Sequence, residues 1–222
     1  MNIYIIIPAY NEEKSIRGVI KNIQNNFSEA RIIIVDDASN DQTVTATQDL
    51  PAVIFQHVVN RGQGAALKTG TEYAIIKGAD IIVHFDADGQ FKADEIKDMI
   101  APILNNEADV VFGSRFFGKK SNIPWQKEKI IMPIARAVNR LFFNVKLSDP
   151  QAGFRAFSAD AYNKLEWQQD RMAHCSEIMR NAFKNKLRIK EVPITVVYHD
   201  FGQKFSGGFR ILKDIFIGRF IK

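Results

Sequence analysis

The chain has 222 residues, room for one full domain with an appendage. Apolar residues make up 46% and charged residues 25%, which excludes collagen-like, disordered and coiled-coil classes. A net charge of +5 is too modest to indicate a nucleic-acid partner, and no uncharged stretch approaches the roughly 18 apolar residues of a bilayer span.

The start, Met1-Asn2-Ile3-Tyr4, lacks the basic lead and cleavage site of a secretory signal, so a cytoplasmic location is the expectation. Ile3-Tyr4-Ile5-Ile6-Ile7, closed by Pro8, and Ile32-Ile33-Ile34-Val35, followed by Asp36-Asp37, are continuous β-branched runs that predict strands buried on both faces. Ala52 to Val59, Ile81 to Phe85 and Asp109 to Phe112 continue the series. Helical patterns fall near 12–25, 41–49, 64–77 and 93–105. Strands and helices alternating at this spacing predict βαβ units and a mainly parallel sheet, in which ligands sit beyond the carboxyl ends of the strands. Farther on, the sequence predicts a long helix over 127–146, a short strand over 153–158, a helix over 174–186 and one or two strands from Leu187 to Tyr198, broken at Pro193. The single cysteine, Cys175, excludes an intrachain disulfide and reads as a small core hydrophobe. With no repeat and no linker rich in Gly, Ser or Pro, the chain reads as one domain, residues 1–115 forming one half and 116–222 an elaboration.

The strand ends are where chemistry is expected. They carry Pro8-Ala9-Tyr10-Asn11-Glu12, Asp36-Asp37-Ala38-Ser39-Asn40-Asp41, Asn60-Arg61-Gly62-Gln63-Gly64, Asp86-Ala87-Asp88-Gly89-Gln90 and Gly113-Ser114-Arg115. One acidic strand end is an ordinary helix cap; five polar or glycine-rich ends along one sheet edge point to a site. Asp86 and Asp88 can both turn to one ion, with Gln90 adding a neutral oxygen, a set that suits magnesium or manganese shared with substrate phosphates. A calcium loop is excluded, since its sixth position is Phe91 and its twelfth Lys97. Gly62-Gln63-Gly64 lacks the third glycine of a dinucleotide fingerprint, where Leu67 stands, so no nicotinamide site is expected. It reads as a glycine-permitted helix start whose amides are still able to face a diphosphate.

Five segments in order, Ile7-Pro8-Ala9-Tyr10-Asn11-Glu12, Val35 to Thr43, Asp86 to Gln90, Gly113-Ser114-Arg115-Phe116 and Asp149-Pro150-Gln151-Ala152-Gly153-Phe154-Arg155, resemble the motif set of family 2 glycosyltransferases. Within it the chain is most similar to the dolichol-phosphate mannosyltransferase-like branch. The resemblance implies an α/β GT-A fold, a Rossmann-like mainly parallel sheet flanked by helices. It also implies a UDP- or GDP-sugar donor, Mg2+ or Mn2+ as cofactor and inversion at the anomeric carbon. Carried over by position, Pro8, Ala9, Tyr10 and Glu12, with Asp36 or Asp37, would contact base and ribose, and Gly64 would lie by the diphosphate. Asp88 would bind the metal, with Asp86 and Gln90 beside it, and Asp88 and Arg115 would be the catalytic pair.

The branch also implies a polyprenyl phosphate acceptor, with Arg115, Arg155, Lys204 and Lys127 or Lys129 as the groups that meet its phosphate. Composition points the same way: acidic residues outnumber basic ones before Arg115, and basic ones outnumber acidic ones after it. The patterns at 127–146 and 209–222 put Ile, Phe, Leu and Val on one face and Lys and Arg on the other, as in helices lying on an anionic membrane surface; the alternative is that both simply cover the sheet. Peripheral attachment at the inner face of the membrane is therefore expected. A phosphate acceptor is already anionic, whereas a hydroxyl needs a base such as His199 or Asp200. The branch's arginine-rich end segment is replaced here by Tyr198 to Ser206, which leaves a glycan or lipid hydroxyl acceptor, or a silent nucleotide-sugar-binding scaffold, as alternatives.

Overall fold

A computed structural model of the chain describes residues 1–116, 147–149 and 153–197. The predicted helix at 127–146, the tail at 209–222, Lys127, Lys129, His199, Asp200 and Lys204 lie outside the described residues.

The first βαβ unit forms as the apolar runs dictate. Strand β1 (Ile3–Ala9) is buried throughout and pairs in parallel with β2 (Arg31–Asp36), joined by helix α1 (Ile16–Asn26). Strand β3 (Ala52–Gln56), helix α2 (Gln63–Ile76), strand β4 (Ile81–His84), helix α3 (Ile96–Leu104) and strand β5 (Val110–Ser114) follow. After them come β6 (Arg155–Ser158), the short α4 (Tyr162–Leu165), α5 (His174–Lys184) and β7 (Ile189–Pro193). The strands make one seven-stranded sheet in the order β3-β2-β1-β4-β6-β5-β7.

Side chains alternate across a strand, so each apolar run feeds two cores. Ile5, Ile7, Ile32 and Ile34 pack with Val19, Ile20 and Ile23 of α1 and Met99 and Ile100 of α3. Tyr4, Ile6, Ile33 and Val35 pack with Leu67 and Ala74 of α2 and Ile178 and Met179 of α5 on the opposite face. Helix α2 sits so close to β1 that a Cβ on Gly70 would stand 2.4 Å from Ile6 Cγ2. Gly70→Ala is expected to cost about 1–3 kcal/mol by overpacking, read as a lower urea midpoint with an unchanged slope.

Two elements differ from the sequence expectation. Helix α1 begins at Ile16 and not near 12, because residues 12–15 form a turn in which the Glu12 carbonyl accepts from the Ser15 and Ile16 amides. The pattern at 41–49 yields only a single 3-10 turn, Thr45–Thr47. There Asp41 Oδ1 accepts from both the amide and the hydroxyl of Thr43, and such local side-chain bonds compete with a helix.

The antiparallel strand decides where the site lies. β6 runs opposite to β4 and β5, with His84 beside Arg155 and Phe112 beside Arg155 in register. Its amino end therefore lies at the carboxyl ends of the parallel strands. Gly153, Phe154 and Arg155 reach the sheet edge that also carries the segments after β1, β2, β4 and β5.

Candidate active site

Loops after β1 and β2 are laced together by side chains bonding backbone amides. Asn11 N donates to Ser39 Oγ at 2.8 Å, Asn40 N to Asn11 Oδ1 at 2.9 Å, and Glu12 N to Thr43 Oγ1 at 2.8 Å. Asn11 and Ala38 have φ of 57° and 62°, left-handed conformations that cost energy in a non-glycine residue and mark a loop held by its surroundings. Pro8 and Ala9 are buried at the end of β1, and Tyr10, 45% exposed, presents its ring at the rim.

Asp36 and Asp37 are both buried, and they are used differently. Asp37 Oδ2 accepts from Gly62 N at 2.6 Å, and its Oδ1 accepts from Arg61 N at 3.0 Å and faces His57 Nδ1 at 2.7 Å. That carboxylate fixes the loop ahead of α2. Asp36 Oδ2 accepts from Ser39 N at 3.2 Å, while its buried Oδ1 has no hydrogen-bond partner among the described residues. A buried carboxylate oxygen left open in this way is what a ligand donor would complete.

Gly62 and Gly64 serve the chain's own packing. A Cβ on Gly64 would meet Gln169 O at 2.3 Å, and one on Gly62 would meet Asp170 O at 2.6 Å. The Gly64 carbonyl accepts from Trp167 Nε1 at 2.9 Å, and Ala65 N donates to Asp170 O at 3.0 Å. The segment around 167–170 thus covers the start of α2, where the sequence reading puts a diphosphate.

Asp86, Asp88 and Glu12 converge. Burial, then the neighbouring Asp88 carboxylate, pushes Asp86 up to about 7, and Glu12 is raised by burial with Asp88 and Asp41 adding to it. Gln63 Nε2 donates to Asp86 Oδ1 at 2.8 Å, and Gln90 N donates to Asp88 Oδ1 at 3.0 Å across a turn in which Gly89 has φ of 74°. A buried carboxylate raised by loss of water and further by a like-charged neighbour marks a place where a cation lowers the energy. Among the described residues no cluster of three or more His, Cys, Asp or Glu side chains has metal-holding geometry. Two aspartates with a diphosphate and water completing the shell are nonetheless the usual provision for magnesium, so the residues present fit such an ion.

Near these carboxylates lies a buried arginine. Arg155, 1% exposed, donates from Nε to Gly153 O at 3.1 Å and from Nη2 to Cys175 Sγ at 3.1 Å; its Nη1 has no hydrogen-bond partner among the described residues. His174 Nε2 stands 3.4 Å from the same sulfur. Burial pushes the Cys175 thiol up, but His174 and Arg155 outweigh it and bring it down to about 6. Cys175 is thus a polar partner at the site floor, in contrast to the core hydrophobe that its isolation in sequence suggests. Arg155 is buried at 1% exposure, with Nη1 left over among the described residues after its bonds to Gly153 and Cys175.

Arg115 is locked. Its Nε and Nη2 donate to Asp149 Oδ2 and Oδ1 at 2.5 and 2.7 Å, and its amide reaches Oδ2 at 3.2 Å. The side chains are 8% and 0% exposed. A two-point pair of this kind holds the guanidinium plane at the end of β5. Ser148, next to Asp149, is tied by its amide and hydroxyl to Glu191 of β7.

The structure therefore brings Glu12, Asp36, Asp86, Asp88 and Gln90 to one edge, turns Asp37 and Gly64 to the support of the α2 loop, and buries Arg155 beneath. Sequence reasoning missed Asp149 as the partner of Arg115, and Gln63 and Gly153 as neighbours of Asp86. Gln63 between two glycines at a strand end was the one visible signal.

The family described as "Glycosyl transferase family 2" matches residues 4–166. A relative from Methanococcus voltae named UDP-N-acetylglucosamine–dolichyl-phosphate N-acetylglucosaminyltransferase is 38% identical, over 94% of this chain and 92% of its own length. An undecaprenyl-phosphate mannosyltransferase from Micrococcus luteus is 30% identical, over 94% and 89%. Among solved structures, glucosyl-3-phosphoglycerate synthase from Mycobacterium tuberculosis, in complex with Mn2+, UDP and phosphoglyceric acid, superposes with a TM-score of 0.75 at 18% identity, covering 97% of this chain and 76% of that one. That likeness shows the fold: the sheet and its flanking helices are a GT-A arrangement.

Proposed function

This chain belongs to glycosyl transferase family 2 and is a glycosyltransferase, and we propose that it moves a sugar from a nucleoside diphosphate sugar to a polyprenyl phosphate, with a divalent cation and with inversion. The observation that carries the reading is the meeting of Asp86, Asp88 and Glu12 at the carboxyl edge of the sheet, with Asp86 raised to about 7 by burial and its like-charged neighbour. A UDP-sugar is favoured over a GDP-sugar by the name of the Methanococcus relative, and the lipid phosphate by the names of both relatives.

Tyr10 and the open oxygen of Asp36 suit the base and ribose, the tyrosine by stacking and the carboxylate by accepting a hydrogen bond. Asp88 with Asp86 and Gln90 would hold the metal. When bound, the cation supplies positive charge to the departing diphosphate. Arg115, held flat by Asp149, places a fixed cation beside the reacting groups at no reorganisation cost. The acceptor phosphate is anionic at neutral pH, attacks directly, and requires no protein base; a single displacement inverts the anomeric carbon. In this reading residues 1–115 serve the donor and 116–222 the acceptor, at the inner face of a membrane. No helix among the described residues is long and apolar enough to cross one.

The test is transfer of radiolabelled sugar from UDP- and GDP-sugars to a short-chain polyprenyl phosphate with Mn2+ or Mg2+. An organic-extractable, acid-labile product that vanishes with EDTA is expected. Transfer only to glycan or lipid hydroxyls, giving an acid-stable product, contradicts the phosphate acceptor. Donor binding without turnover on any acceptor extract contradicts the enzyme reading. Separately, flotation with anionic liposomes is expected to be salt-sensitive, and indifference to lipid charge would count against the membrane contact.

A further inference from the structure

The carboxylate of Asp86 is held from two sides by residues outside the metal-binding segment. Gln63, the first residue of α2, donates from Nε2 to Oδ1 at 2.8 Å. Gly153, just ahead of β6, leaves so little space that a Cβ built on it would stand 2.6 Å from Asp86 Oδ2 and 3.3 Å from its Cγ. The two residues reach Asp86 from separate parts of the chain, one following β3 and the other brought in by the antiparallel strand. An aspartate carboxylate has little rotational preference of its own about its terminal bond, so its orientation comes from such neighbours.

We propose that Gln63 and Gly153 are positioning residues that together fix the rotamer of Asp86, and through it the affinity of the site for a divalent cation; the inference rests on the metal reading given above. Gly153 differs in kind from the other close-packed glycines. At Gly64 an added methyl meets the backbone oxygen of Gln169, and at Gly113 it meets Ile194 in the core, so substitution there strains the fold. At Gly153 the nearest atoms are all in the Asp86 side chain, which gives way more readily than backbone. The methyl is therefore relieved by turning the carboxylate: the fold is kept and the site is disturbed. Displacing a ligating oxygen by a fraction of an ångström is enough to matter, since outer groups that orient ligands typically account for 10–100-fold in metal affinity.

Mn2+ binding in the presence of UDP, followed by electron paramagnetic resonance, tests this on the full chain with Gly153→Ala, Gln63→Leu and Asp86→Ala, each alongside its melting temperature. Gly153→Ala and Gln63→Leu are each expected to weaken Mn2+ by about tenfold with the melting temperature unchanged. Adding Gln63→Leu to Asp86→Ala is expected to change nothing further, since Gln63 acts through the carboxylate already removed. Wild-type Mn2+ affinity in both single variants, with affinity lost in Asp86→Ala, overturns the clamp and leaves the metal reading standing. Unchanged affinity in Asp86→Ala overturns Asp86 as a metal ligand, and the clamp with it. If Gly153→Ala melts well below the parent, Gln63→Leu and the double variant decide the matter.

Discussion

Asp88→Ala is expected to lower transfer by about 10³-fold or more while leaving the melting transition where it was. The side chain lies at the carboxyl edge, half-buried, and accepts from the amide of Gln90 within the same turn. Removing it takes little from either core, and it relieves the repulsion that raises Asp86 and Glu12. The rate depends on charge placed against the leaving diphosphate, which the remaining Asp86 and Gln90 hold less well. Steady-state rates at saturating Mn2+, together with a thermal melt, check both halves. Full turnover in the variant would remove the proposed role, and a collapsed melt would make Asp88 a structural residue.

The largest loss of stability is expected from Asp149→Ala. Arg115 and Asp149 form a two-point ion pair with side chains 8% and 0% exposed. Taking away the carboxylate strips a buried guanidinium of its bidentate acceptor, and breaking such a pair from one side typically costs about 3–5 kcal/mol. Urea denaturation is expected to show a fall of that size, with the double variant Asp149→Ala/Arg115→Met, which removes both charges, falling less. Equal losses in the two variants would mean that desolvated charge is not the cause.

How much of this was legible in the sequence follows from the range of the interactions. Ile3 to Ile7 and Ile32 to Val35 announced buried strands because a doubly covered strand must be apolar at every position, and the polar residues after them announced the edge that holds ligands. The direction of β6 was not legible. Ala156 and Phe157 are buried and apolar whichever way the strand runs, so the placement of Gly153 and Arg155 beside β4 had to come from the sheet. Arg155 was read as a group that meets the acceptor phosphate, and nothing in its local sequence reveals Cys175, which bonds it from α5 with His174 beside the sulfur. Likewise nothing near Gly62 and Gly64, read as a glycine-permitted helix start, reveals that Gln169 and Asp170 from far along the chain close against them. The site was therefore readable where a residue's role follows from its own strand end, and unreadable where the role depends on a partner from another element, 20 residues away for Arg155 and Cys175 and 34 for Arg115 and Asp149.

A crystal grown with UDP and Mn2+ puts the central claim to its most direct test. Anomalous difference density is predicted within ligand distance, about 2.2 Å, of Asp88 and of the diphosphate oxygens, with Asp86 and Gln90 adjacent. UDP bound at this edge with manganese elsewhere, or with Asp86 and Asp88 turned toward neighbouring side chains and away from the phosphates, would contradict it.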